Sequence, residues 1–332
     1  PISFIIGCIF YNQSQAQIAA NYEIGTWYKF KTAALTYSFD DGTSNQLSVA
    51  MPMFDKYGYK MSFNVVTNWV SDWKPYSNAS ANGHEIASHT VSHVKLNTIS
   101  ATNQDPELKN SQSIINSNVT NAKCLTIIYP ECNSGDVTTM SKYYISGRTC
   151  DGKINSSNIT DFWNIGSYVC GNQGLNTDQA FNNQAVAAKN AKGWCVFLIH
   201  GIDGQGNFSP LSSSILSSHL TYVNANDADY WVATQLNVVK YIKERMAAKL
   251  TETTITSDSL SAVLTDGLDN SIYDADISVR RVIPTGWAGA KVYLDKKLLT
   301  STTSTINGKT YVVFNVAPDK GTVYIVNTAS TP

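Results

Sequence analysis

Charge is scarce in this chain. Asp, Glu, Lys and Arg make up 15% of its 332 residues and leave a formal net charge of -1, so no excess of positive charge recommends a nucleic acid or an anionic membrane as partner. Cysteine is sparse as well. Six in a chain of this length are too few to build a fold from disulfides. Cys124, Cys132, Cys150, Cys170 and Cys195 contain no CxxC pair, which argues against a thiolate zinc site, and their spacing leaves the pairing open. The acidic run Asp266 to Asp276, DGLDNSIYDAD, lacks the spacing of an EF-hand and reads as solvated turns rather than a calcium loop.

What is present is 43% hydrophobic and long enough for one large core plus a smaller domain. Many Asn, Ser, Thr, Tyr and Trp residues suit an extracellular protein that handles neutral, hydroxyl-rich ligands, and no protein partner is implied. The first residues, PISFIIGCIFYNQSQAQ, resemble the apolar core and small-residue cleavage region of an export signal, with cleavage after Ala16. Ile5-Ile6-Gly7-Cys8 offers a second reading, a lipid anchor on Cys8, and a first strand is a third. The expected location is therefore secreted or cell-surface, where disulfides are allowed.

The organising stretch is Ala34 to Gly42, ALTYSFDDG, an apolar run that stops at two adjacent carboxylates and a glycine. It predicts a buried strand delivering Asp40 and Asp41 to its carboxyl end, where open α/β sheets and barrels keep their reactive groups. Successive strand residues face opposite ways, so the two acids can take different jobs. A second short strand ends in GHEIASHTVSH, which places His89 and His93 four apart. On one helical face, or on one turn leading into a helix, that spacing suits a single ion. A carboxylate with two imidazoles and open positions is the ligand set of a catalytic divalent metal.

Along the chain, Ala34–Phe39, Met61–Val66, Glu85–Ser88, Cys124–Tyr129, Tyr144–Gly147, Phe162–Gly166, Val196–His200 and Trp231–Thr234 read as strands. Ser44–Tyr57, Pro106–Asn116, Phe181–Ala191 and Val238–Leu250 read as helices. Strands alternating with helices imply parallel strands and a barrel-like α/β domain over 18–250, after an export-signal remnant or first strand over 1–17. From Thr251 the pattern changes to short alternating runs parted by Gly, Pro, Asp and Asn, the mark of a small β-sandwich over 251–332. His84 and His219 have no sequence partners and read as structural.

With both motifs placed, the first 250 residues resemble the NodB-homology polysaccharide deacetylases, carbohydrate esterase family 4. The resemblance rests on Ser38-Phe39-Asp40-Asp41-Gly42 and His89-Thr90-Val91-Ser92-His93. It implies a distorted (β/α) barrel of seven or eight strands and one divalent metal ion, zinc first and cobalt or another divalent ion as alternatives, held by Asp41, His89 and His93. Asp40 would be the general base. His200, ending WCVFLIH, would match the late histidine that serves as general acid, and Thr90 or Ser92 the hydroxyl that steadies the second metal histidine.

Two departures stand out. Where the family usually places an arginine to orient the base, this chain has Ile128, followed by Tyr129-Pro130-Glu131. The backbone of Glu131 still offers an oxyanion donor, and Arg148 after another strand is the substitute to test. Asp161 in Ile159-Thr160-Asp161-Phe162-Trp163 offers an acid to tune His200, at unusual spacing, or equally a cap or loop acid. Trp69, Trp73, Tyr76 and Tyr129 are the candidate substrate-binding aromatics, and the first three could equally pack a loop. The implied activity is removal of acetyl groups from an acetylated polysaccharide or oligosaccharide, with O-acetyl on xylan preferred. The alternatives are N-acetyl removal from chitin-like oligomers or peptidoglycan, a decayed site that only binds carbohydrate, and a metal-dependent glycoside hydrolase.

Overall fold

The computed structural model describes residues 16–206 and 208–329. The export-signal and Cys8 readings fall outside the described residues. The chain divides into two compact units, one made by the residues up to Gly25 together with those from Lys243 on, the other by Thr26–Ile242. This differs from the expected boundaries at residues 18 and 250. The reason is that β1 (Gln17–Ile18) and β2 (Tyr22–Ile24) are too short to show a period of their own, yet they pair with strands made by the far end of the chain.

In the larger unit, β3 (Ala33–Asp40) has all eight residues buried. Leu35, Tyr37 and Phe39 join an aromatic and aliphatic core with Phe54, Phe181 and Phe197, while Thr36, Ser38 and Asp40 alternate with them and make polar contacts. This period of two is what a strand needs when helices cover its outer face and a site lies at its end. Around it stand β4 (Ser62–Val65), β5 (Glu85–Ser88), β6 (Thr126–Ile128), β7 (Ser146–Arg148), β8 (Tyr168–Val169), β9 (Trp194–Ile199) and β10 (Tyr230–Val232). The order is β7-β6-β5-β4-β3-β9-β8, with β10 also on β3, and all pairs are parallel.

The ring closes through one short segment. Ile165 bridges Arg148 of β7, with Thr149 N–H donating to the Ile165 carbonyl at 2.8 Å, and the same segment runs on into β8, which pairs with β9. The expected strand Phe162–Gly166 is thus a bridge followed by a two-residue strand, because it must serve both edges. The crossovers carry α1 (Met51–Asp55), α2 (Lys74–Ala81), α3 (Ala101–Asn118), α4 (Val137–Met140), α5 (Asp178–Ala191) and α6 (Ser213–Ala225), and α7 (Gln235–Ala247) follows β10. The architecture is the expected distorted barrel of eight strands. The run expected as one helix from Ser44 splits into a π-helical turn, Gln46–Ala50, followed by α1.

The smaller unit is a sandwich of antiparallel sheets built from β11 (Lys249–Ile255), β12 (Ser259–Thr265), β13 (Ile277–Val282), β14 (Ala290–Leu294), β15 (Lys297–Leu298), β16 (Ser301–Ile306), β17 (Lys309–Val316) and β18 (Thr322–Asn327). The sheet β11-β12-β18-β14-β15 takes β1 at its edge in parallel, and β16-β17-β13 takes β2. Alternate residues Leu260, Ala262, Leu264, Val279, Val312, Phe314, Val323 and Ile325 form its core.

His84 and His219 are structural, as expected. His219 sits between the Tyr37 hydroxyl and Asn182 Oδ1, 2.7 Å from each, and His84 Nε2 lies 3.0 Å from Asp55 Oδ1.

Gly147 of β7 shows how closely the barrel is filled. A Cβ there would come within 1.7 Å of the Tyr129 hydroxyl, which donates to the Trp163 carbonyl at 3.0 Å. Gly147→Ala is expected to lower unfolding stability by about 1–3 kcal/mol through overpacking, read from the midpoint of a urea titration.

Candidate metal centre

Three strand ends bring the site together. Asp41 follows β3 in a left-handed conformation (φ 72°), and Gly42 repeats it (φ 68°). That tight turn throws the Asp41 carboxylate away from the strand axis. The turn is sealed by Tyr76, whose hydroxyl donates to the Gly42 carbonyl at 2.9 Å and would clash with any Cβ at Gly42.

His89 follows β5 and is 2% exposed. Its Nδ1 lies 2.9 Å from the Ile128 carbonyl, so Nδ1 carries the proton and Nε2 presents a lone pair. Of the two geometries the spacing allows, a helical face or a turn leading into a helix, the segment to His93 takes the turn, with left-handed backbone at Thr90 (φ 67°) and His93 (φ 63°). Glu107 of α3 holds it: Oε2 accepts the Val91 and Ser92 amides at 2.9 and 3.0 Å, and Oε1 accepts the Ser92 hydroxyl at 2.8 Å. Thr90 Oγ1 accepts the His93 amide at 3.0 Å, the steadying contact anticipated for Thr90 or Ser92.

The result is a compact donor set. One ligand atom each from Asp41, His89 and His93 lie within 4.8 Å of one another, and Asp41 Oδ1 is 3.6 Å from both imidazole Nε2 atoms. Bonds of about 2.0–2.2 Å meeting at a tetrahedral angle put ligand atoms about 3.4 Å apart. Asp41 Oδ1 is also buried and makes no hydrogen bond among the described residues. A buried carboxylate oxygen without a donor is costly unless a cation meets it. The residues therefore fit a divalent ion.

Beside them Asp40, 3% exposed, receives Arg148 Nη2 on both oxygens at 2.6 and 2.5 Å and Asn64 Nδ2 on Oδ1 at 2.7 Å. Burial pushes its pKa up, but the Arg148 charge, assisted by His89 and His200, outweighs burial and holds the carboxyl below its usual value. Arg148 is directly opposite Ile128 across the β6–β7 pair. The guanidinium that the resemblance led one to expect at the end of β6 thus reaches Asp40 from the next strand, at the same level.

His200 follows β9, and its buried Nδ1 has no hydrogen-bond partner among the described residues. Asp161 does not supply one. It is exposed and caps its own turn, accepting the Trp163 amide at 3.0 Å, so the expectation that it tunes His200 is corrected. Gln46 ties the strand ends instead, with Nε2 donating to the carbonyls of Asp40 (2.5 Å) and His200 (3.1 Å). Glu131 has left-handed backbone (φ 51°), its side chain pairs with Lys95 at 3.0 Å, and the adjoining Cys132 is disulfide-bonded to Cys150.

The aromatic rim differs from expectation. Tyr76 and Tyr129 are buried with their hydroxyls committed to backbone carbonyls, and Trp73 packs half-buried against the core. None of these presents a free ring. Trp69 does: it is 54% exposed and stacks on His93 with centroids 5.1 Å apart. Phe208, missed in the sequence, is 48% exposed and stands edge-on to His200 at 4.8 Å. It is a lone aromatic in a glycine-rich loop, without periodicity to draw notice.

The chain is similar to several known proteins. Residues 28–142 match the polysaccharide deacetylase family. A curated relative, a gellan lyase from Bacillus sp, is 25% identical over 93% of this chain, which spans 13% of that protein's length. A putative polysaccharide deacetylase from Mycobacterium smegmatis superposes with a TM-score of 0.50 at 14% identity, over 70% of this chain and 98% of that one. The Xyl-CE4 domain of a multidomain xylanase from the hindgut metagenome of Trinervitermes trinervoides gives 0.45 at 21% identity, over 62% and 89%.

Protons compete for this donor set. Burial, with the charge of Asp40, pushes Asp41 up to about 6, whereas burial brings His89 down to about 4. At pH 7 both are in the ligating form, and below about 6 Asp41 takes up a proton that an ion must displace. Affinity for zinc or cobalt is expected to be level above about pH 7 and to fall about tenfold per unit below 6, measured by equilibrium dialysis. A flat response would remove Asp41 from the ligand set.

Proposed function

We infer that this chain, whose residues 28–142 belong to the polysaccharide deacetylase family, is a metal-dependent hydrolase that removes acetyl groups from a polysaccharide. The carrying observation is the buried Asp41 oxygen, without a hydrogen-bond donor and equidistant from two imidazole nitrogens. Asp41, His89 and His93 would hold the ion, zinc first with cobalt or another divalent ion as alternatives. When bound, it supplies Lewis acidity that makes water a stronger acid and polarises the acetyl carbonyl.

The chain supplies the rest. Asp40, kept ionised and oriented by Arg148, takes the proton from the attacking water. The Glu131 amide donates to the developing oxyanion, and His200 returns a proton to the departing oxygen. Trp69 and Phe208 offer apolar faces to a sugar ring, and the Glu131 carboxylate is paired with Lys95 at 3.0 Å. This favours O-acetyl groups on a neutral glycan such as xylan. The match of 93% of the chain to a gellan lyase supports a second substrate, gellan; N-acetyl removal from chitin-like oligomers or peptidoglycan uses the same atoms. The Cys132–Cys150 disulfide supports an exported or cell-surface location.

Acetate release from acetylxylan, native gellan and N-acetylglucosamine oligomers, with and without chelator, tests the reading. Asp40→Asn is expected to lower turnover by about 10²–10⁴-fold while metal content is kept. Release of reducing ends without acetate would instead indicate a glycoside hydrolase, and metal binding without any product a binding module.

The rim has its own test. Trp69→Ala and Phe208→Ala are each expected to raise KM on acetylxylan about tenfold, with hydrolysis of a small aryl acetate nearly unchanged. Equal losses on both substrates would assign the rings to packing.

A further inference from the structure

Resting on the deacetylase reading, we infer that the Cys132–Cys150 disulfide is a positioning clamp for the site and not merely a brace for the fold. Strands β6 and β7 lie side by side with Ile128 opposite Arg148, and beyond that pair the two chains part. The disulfide rejoins them with the Cα atoms 5.4 Å apart. Each end of it borders a group the chemistry uses. Cys132 follows Glu131, the oxyanion donor, and lies four residues beyond Ile128, whose carbonyl fixes the His89 tautomer. Cys150 lies two residues beyond Arg148, which grips Asp40.

The backbone here needs such a constraint. Glu131 (φ 51°) and Cys132 (φ 68°) are consecutive non-glycine residues in left-handed conformation, a state that persists only where the surroundings over-determine it. The disulfide closes the whole β6–α4–β7 crossover at its site end, across a sequence separation of 18. The placement is selective as well. Cys124, Cys170 and Cys195 are buried and free, so the one disulfide among the described residues stands beside the site, with both of its cysteines partly exposed.

The test compares wild type, a Cys132→Ser/Cys150→Ser variant, and wild type treated with a phosphine. The phosphine takes oxygen from water to become its oxide as the disulfide becomes two thiols. Initial rates of acetate release are measured well below the melting temperature, with metal content and hydrogen exchange of peptides covering 128–134 and 146–151. Opening the disulfide is expected to speed exchange in both peptides and to lower kcat about tenfold or more, with KM and bound metal nearly unchanged. Reoxidation should restore the treated wild type and leave the variant unaffected.

An unchanged kcat with only a lower melting temperature would overturn the clamp, as would unchanged exchange. A wild type that releases no acetate from any of the glycans above would instead sink the deacetylase reading, and the exchange pattern alone would then decide whether the disulfide holds the site.

Discussion

One oxygen atom sets the terms for the barrel's upper end. Asp41 Oδ1 is buried, has no hydrogen-bond donor among the described residues and lies 3.6 Å from two imidazole Nε2 atoms, of which that of His89 presents a lone pair. Such an arrangement is costly alone, and a proton or a cation relieves it. Much around it serves to keep those three atoms converging: the left-handed turn at Asp41 and Gly42, the Ile128 carbonyl behind His89, and the Glu107 carboxylate that receives the His89–His93 loop. The electrostatics divide the neighbouring acids by partner. Asp40 has a guanidinium and stays ionised, while Asp41 has none in contact and is left for a cation.

The substitution of Arg148 for an arginine on β6 follows from the geometry of parallel pairing. Neighbouring strands lie about 4.8 Å apart, and residues in register present side chains at the same height. A guanidinium on a flexible stem can span that lateral step, which is how Arg148, level with Ile128, reaches the Asp40 carboxylate. The cost is visible in the buried Nε of Arg148, which has no partner among the described residues.

Much of this was legible in the sequence where a short-range pattern carried the information. The run from Ala34 to Phe39 announces a buried strand, and the acids and histidines that end two strands announce a cation site. Long-range partners were not legible. Gln46 joins Asp40 to the distant His200, and Glu107 reaches back to the His89–His93 loop, from helical segments whose local sequence serves equally well on a solvated face. Spacing left two geometries open at His89–His93, a helical face or a turn leading into a helix, and it is a turn with positive φ that brings the rings together. Aromatic type misled at Tyr76 and Tyr129, since a phenol near a strand end is as useful bracing backbone carbonyls as facing a sugar. Asp161 satisfied a local turn before it could reach a distant imidazole.

The sandwich unit is discontinuous in the chain: β1 and β2 precede the barrel residues, and their pairing partners β11 and β13 follow them. During synthesis the barrel residues emerge in full before those partners exist. The larger unit can thus finish folding while β1 and β2 wait with open edges, and the smaller one closes only as the last strands leave the ribosome.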